Sequence, residues 1–225
     1  MKKEELTILS LYDLSHSEAG EFLRQFTYPW EALPHIKDFI IELGKRLPEE
    51  EYEKRGENIW VHKSAKVFPT AWLGENVIIG KDAEVRHCAF IRGNALVGEG
   101  AVVGNSTELK NVILFDRVQV PHYNYVGDSI LGYKAHMGAG SITSNVKSDK
   151  LLVKVHAEDG DIETGIKKFG AMIGDGVEVG CGSVLNPGTV IGRNTNIYPL
   201  SSVRCCVDAD SIYKKQGEVA KKEDR

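Results

Sequence analysis

The stretch VHKSAKVFPTAWLGENVIIGKDAEVRHCAFIRGNALVGEGAVVGNSTEL, residues 61–109, decides the fold. Every sixth residue in it is a large aliphatic: Val61, Val67, Leu73, Ile79, Val85, Ile91, Val97, Val103 and Leu109. Two positions before each, the side chain is mostly small, as in Ala65, Ala71, Ala83, Ala89, Ala95 and Ala101. The position just after holds Gly74, Gly80, Gly98 and Gly104. Neither the helical nor the strand period produces six unaided. A hexapeptide array of the parallel β-helix kind does. Three such steps, each a short strand and a turn, close one triangular coil. Residues eighteen apart then stack about 4.8 Å above one another, the ordinary strand spacing. The aliphatic residue points into the prism, the small one fills the corner, and glycine supplies turn dihedrals that a Cβ disfavours. The fold class is an all-β solenoid.

Working outward, about three coils fit residues 58–114. Between Phe115 and Asn145 the phase slips: Val120 and Val126 are six apart, and Leu131, Met137 and Thr143 follow one residue early. Residues 146–170 break the period. Leu151–Val155 alternates like a strand and AEDGD signals a turn, so this is an inserted hairpin. The repeat resumes at Ile173, Val179, Leu185, Ile191, Ile197 and Val203. The core domain therefore spans 58–207.

Residues 1–57 precede it. TILSLYDL reads as a short strand or helix. Helices are expected over Ser15–Phe26 and over Pro34–Leu47, where Ile36, Phe39, Ile40 and Leu43 form an apolar stripe. LPEEEYEKRGEN reads as a charged connector. The segment is expected to cap the open end of the prism and shield its unpaired strand groups. Residues 208–225 read as a charged C-terminal helix.

Composition bounds the function. The 225 residues are 42% hydrophobic and 27% charged, which fits one soluble domain with appendages. A net charge of −4 argues against general nucleic-acid binding. The four cysteines show no CxxC spacing and fit reduced thiols in the cytoplasm. MKKEELTILSLYDL lacks the apolar core of a signal peptide, and no run of 18 apolar residues exists to span a membrane.

Chemistry is expected where the repeat breaks. The slot that wants glycine holds Arg92 and Lys110, eighteen apart and so stacked on one corner. Two like charges about 5 Å apart repel by roughly 1 kcal/mol in water. Either solvent relieves this, or an anion such as phosphate sits between them. The second break is PHYNYVGD, residues 121–128. His122 is either structural or a neutral imidazole able to accept a proton from an amine or hydroxyl.

The run NSTELKNVILFDRVQVPHYNYVGDSILGYKAHMGAGSITSNVKSDK, residues 105–150, resembles the acetyltransferase domain of the bifunctional glucosamine-1-phosphate N-acetyltransferase/UDP-N-acetylglucosamine pyrophosphorylase family, and related archaeal sugar-phosphate transferases. The shared pattern is a Lys after a Glu–hydrophobic pair, then His-x-x-Tyr-x-Gly-Asp, then Gly-Ala-Gly-[ST]-Ile-Thr-x-Asn. The resemblance implies a left-handed parallel β-helix, a homotrimer, and acetyl-CoA as cosubstrate in a groove between prisms. By the same resemblance His122 is the general base, which frees the sugar's 2-amino group for direct attack on the thioester. Arg92 and Lys110 bind the sugar phosphate, and Tyr125 and Asn145 contact the substrate. Ala139 offers a backbone amide to the acetyl carbonyl, and Cys181 contacts the CoA arm. The chain departs in two places: His136 stands where the family often has a sugar-binding asparagine, and Lys150 is the counterpart of a phosphate-binding lysine.

Residues 1–57 carry no Gly-rich nucleotide loop, so nucleotidyl transfer is not expected. Two alternatives remain at this level. One is a non-catalytic sugar-nucleotide-binding or assembly module. The other is a zinc enzyme resembling the γ-class carbonic anhydrases, for which His87 and His122 are suggestive. Arg117, five residues before His122, cannot ligate zinc, so no metal is assigned.

Overall fold

The computed structural model describes residues 1–215 and 218–221. The described chain winds into a parallel β-solenoid whose strands form two ladders, of twelve and nine strands, wrapped over three faces. Face one stacks Trp72, Phe90, Glu108, Tyr125, Ile142, Val184 and Ser202 in register. Face two begins with Ile59–Val61 over Val77–Ile79 and ends with Val190–Ile191 over Cys206–Val207. Face three carries Glu84, Val102, Gln119, His136, Glu178, Asn196 and Ile212 in the same way. The hexapeptide aliphatics point inward, and all nine from Val61 to Leu109 except Val67 and Leu73 are fully buried.

The phase slip is more local than its spacing implies. Leu109 and Leu114, and then Val126 and Leu131, are the inward residues flanking one corner, and each pair is five apart rather than six. The contraction falls at the corner between faces one and two. It recurs once per coil in the middle of the solenoid. The insertion emerges from this same corner: Lys154–Ala157 and Gly160–Glu163 form an antiparallel hairpin.

The N-terminal segment does not cap the open end with helices. Instead it runs lengthwise along face two, from the last coils towards the first. Arg193 donates to the Leu9 carbonyl at 3.2 Å, the Tyr12 hydroxyl to the Ile130 carbonyl at 3.3 Å, and the Asn111 amide to the Leu33 carbonyl at 3.1 Å. Ile78, Leu96, Ile113, Ile130, Met172 and Val190 point outward from this face, yet all are buried. Each such side chain contributes about 1.5–3 kcal/mol when removed from water. That outward apolar ladder is what holds the segment down. Sealing the first coil falls to a strand, Tyr52–Gly56, antiparallel to Ile59–His62, where a charged connector was expected.

One helix expectation fails and the other holds in shortened form. The span 15–26 holds only the 3-10 turn Leu14–His16 and one α-turn, Gly20–Leu23. The span 34–47 becomes a 3-10 helix Pro29–His35 followed by the α-helix Ile36–Gly44. Ile36, Ile40 and Leu43 of the expected apolar stripe are buried, so the second helix follows its periodicity over a shorter span. The expected C-terminal helix over 208–225 is a hairpin within the described residues, with Ser211–Lys215 paired to Glu218–Lys221. Ile212 and Tyr213 extend face three, and Tyr213 is buried there, which a helix would forfeit.

Candidate functional site

Two edges of face one carry the expected site residues. The first edge joins faces three and one. The His122 carbonyl accepts from Gly140 N at 3.0 Å, and the Ala139 carbonyl accepts from Gly182 N at 2.9 Å. His122, Ala139 and Cys181 therefore occupy successive coils on one edge, spanning about 10 Å. The His122 ring is exposed and makes no hydrogen bond among the described residues. Its turn is pinned from inside by Asn124, which is buried. The Asn124 side chain accepts from His122 N at 3.1 Å and donates to the Gly138 and Ser141 carbonyls at 2.9 and 3.1 Å. That one amide ties the imidazole-bearing turn to the Gly138–Gly140 turn. Gly138 N and Gly140 N are bonded, whereas Ala139 N–H has no partner among the described residues. An unpaired backbone donor on an exposed turn is available to a developing negative charge.

The second edge joins faces one and two. A ladder of side-chain amides runs along it. Asn58 donates to Asn76 at 3.1 Å, and Asn76 to Asn94 at 3.0 Å. Asn58, Asn76, Asn94 and Asn111 all sit at φ 51–56°, the left-handed region that asparagine tolerates better than most residues. One coil on, the ladder position holds Asp128, also at positive φ and only 4% exposed at its side chain. Its carboxylate accepts from Lys110 Nζ at 3.0 Å on both oxygens, from Asn111 at 3.0 Å and from Asn145.

The expected stacking of Arg92 on Lys110 does not occur. Because the Lys110 corner is one residue shorter, Lys110 pairs with Gly93 and Arg92 bulges out. Arg92 turns to Glu108, with Nη1 to Oε1 at 2.9 Å, and this hydrogen bond raises its pKa further. Two cations and two carboxylates share the edge, so the local charge balances. The Tyr125 phenol lies across Gly127, where a Cβ would come within 2.6 Å of its oxygen. Burial, then the Asp128 and Glu108 carboxylates, push the Tyr125 pKa up, with Arg92 opposing.

Arg92, Lys110, Tyr125 and Asn145 are thus brought together. His122 is not with them: it lies at the opposite edge of face one, roughly 10–16 Å of strand away. His136 departs from the group too. It sits on face three, bonded through Nδ1 to Glu178 at 2.7 Å, and with Cys181 it lines a groove of about 1080 Å³. Lys150 lies in an exposed turn closed onto the Lys147 carbonyl at 3.1 Å, and it makes no ion pair with Asp128. His87 shares a hydrogen bond with Thr70 at 2.8 Å, and Asn105 occupies the coil between it and His122.

Asp128, Asn111, Glu108 and Asn124 were missed from the sequence. The amide ladder was visible there as Asn58, Asn76, Asn94 and Asn111, spaced 18, 18 and 17. Asp128 is where that series changes to an acid.

The fold and its edges define the class: a parallel hexapeptide-repeat β-solenoid with a histidine turn on one edge and a paired lysine on the next. No family model matches the chain. Over about half its length the chain is homologous to proteins named "Bifunctional protein GlmU". The protein from Methanococcus vannielii is 37% identical over 125 residues, 53% of this chain and 29% of that protein. The "Bifunctional sugar-1-phosphate nucleotidylyltransferase/acetyltransferase" of Sulfurisphaera tokodaii is 34% identical over 112 residues, 50% of this chain and 28% of that protein. The chain therefore spans under a third of the length of these relatives. Among solved structures, a hexapeptide transferase family protein from Anaplasma phagocytophilum aligns with a TM-score of 0.41 at 17% identity, covering 73% of this chain and 78% of that one.

Proposed function

We propose that the chain transfers the acetyl group of acetyl-CoA to the 2-amino group of an amino-sugar 1-phosphate. The observation that carries this reading is the first edge, where His122, an Ala139 N–H without a partner among the described residues and Cys181 follow one another along the prism. His122 takes a proton from the amine as its nitrogen attacks the thioester carbonyl carbon. The Ala139 N–H donates to the oxygen that becomes negative. The C–S bond breaks, and the thiolate leaves and takes up a proton. Similarity to relatives whose names include "sugar-1-phosphate" and "acetyltransferase" supports the substrate and acyl donor. The groove beside Cys181 is large enough for an acyl-carrier arm.

The two edges of one prism are too far apart to hold one amino-sugar phosphate between them. A neighbouring copy bringing its Arg92–Lys110 edge to this copy's His122 edge completes the site. Face two is covered, and face three is largely polar. Face one keeps Trp72 at 66% and Phe90 at 41% exposure, so it is the surface left for self-association. Three copies round one axis use such flat faces once each, and we assign a homotrimer. Four free cysteines fit the cytoplasm. No helix among the described residues is long and apolar enough to cross a membrane.

The test is free-thiol release from acetyl-CoA over a panel that includes glucosamine 1-phosphate, galactosamine 1-phosphate and free glucosamine. Release that depends on a phosphorylated amino sugar is expected. No release with any acceptor would leave the scaffold as a binding module.

A further inference from the structure

From two to four coils beyond Lys110, the edge between faces one and two is roofed by the inserted segment. The space between them is about 360 Å³. One wall is the prism edge, with Ser144, Asn186 and Arg204. The other is the insertion, with Lys147, Ser148 and Lys154. Three cations line this cleft against one carboxylate, Asp149, on a chain whose net charge is −4.

The commitments of these groups differ. Lys147 leans on Asp149 at 3.1 Å, and Lys154 is tied to Glu163 on the adjoining hairpin strand. Arg204 is exposed and has no carboxylate partner among the described residues; its charge reaches Asp149, whose pKa lies below the ordinary range chiefly through the Leu151 N–H and Lys147. The Ser144 and Ser148 hydroxyls make no hydrogen bond among the described residues. A guanidinium fork, two ammonium groups and two idle hydroxyls facing one partly enclosed space match the oxygens of a phosphate group. The volume admits a phosphomonoester or a diphosphate with little more than its first substituent.

We propose that this cleft binds a phosphate-bearing small molecule, a phosphomonoester or a diphosphate. The inserted segment creates the site, since without it Arg204 would face open solvent. The site is separate from the Lys110–Asp128 cluster, whose charges are already balanced. It does not depend on the acyl-transfer reading, because binding is read without turnover.

The experiment is calorimetric titration of the full chain with sodium pyrophosphate at low salt. Arg204→Gln and Lys147→Gln are each expected to weaken binding roughly tenfold, the loss of one charge-assisted hydrogen bond. Arg55→Gln, on the strand at the first coil where Arg55 pairs with Glu53, is expected to change it less than about twofold. Unaltered melting temperatures in the variants exclude unfolding as the cause. No binding by the unaltered chain, an affinity in either cleft variant equal to that of the unaltered chain, or a tenfold loss in Arg55→Gln overturns the assignment. Two further arms identify the source of the phosphate. Sensitivity of glucosamine 1-phosphate binding to Arg204→Gln assigns the cleft to the acceptor. Sensitivity of coenzyme A binding, absent with pantetheine, assigns it to the acyl carrier. Sensitivity of pyrophosphate alone assigns it to a third phosphorylated molecule.

Discussion

Lys110 Nζ lies 3.0 Å from both carboxylate oxygens of Asp128, and Asp128 is nearly closed off from water. The lysine is therefore held in one orientation with one N–H left for a ligand. Asn111 and Asn145 bond the same carboxylate, so a single acid positions three side chains of this edge.

Asp128→Asn keeps the shape but replaces a charge-assisted contact by a neutral one. It is expected to lower stability by about 1.5–3 kcal/mol and the melting temperature by several degrees. It is also expected to raise KM for the sugar phosphate more than for acetyl-CoA. Arg92→Ala and Lys110→Ala should show the same selectivity, and equal weakening of both ligands would count against a phosphate role.

His122→Ala removes an exposed ring that makes no hydrogen bond among the described residues. Thiol release should fall on the order of 10²–10⁴-fold, while the melting temperature stays put. Unchanged turnover in this variant would remove His122 as the base.

Trp72→Glu and Phe90→Glu place charge on the exposed part of face one. Light scattering should show dissociation towards monomer, and activity should vanish although every site residue remains. An active monomer would refute a site shared between copies.

Trp30 is buried at 2% exposure, stacked on Tyr28 at 4.7 Å and on Phe169, at the end of the insertion, at 5.7 Å. Trp30→Ala should cost about 3–5 kcal/mol in denaturant unfolding and expose face two to an apolar dye.

Asp116 sits beside Glu99 and Glu18 where burial, the largest influence, raises its pKa above the ordinary value of 3.8. The folded state then binds a proton more tightly than the unfolded chain. Its contribution to stability is greatest below pH 3.8 and declines as pH rises through the elevated folded value. Asp116→Asn can still accept from Glu99 N, now at 2.8 Å. It should raise the melting temperature at pH 7, with the gain shrinking on acidification; a gain independent of pH would contradict this.

The six-residue period alone determined the solenoid, because only a prism with three strands per coil places Val61, Ile79 and Val97 above one another. The inserted hairpin was legible for the same local reason, since alternation and a turn signal need no distant partner. The amphipathic N-terminal segment was legible as amphipathic, but its destination was not. Which of three faces it would cover depended on Ile78, Leu96 and Ile113 being apolar on the outside, a pattern that appears only once residues are assigned to faces. The charge arrangement at the second edge was settled by the tertiary structure alone. A one-residue contraction between Leu109 and Leu114 shifts the register. It turns an apparent stack of two cations into two separate ion pairs, because side chains at a corner meet whatever the backbone brings level with them.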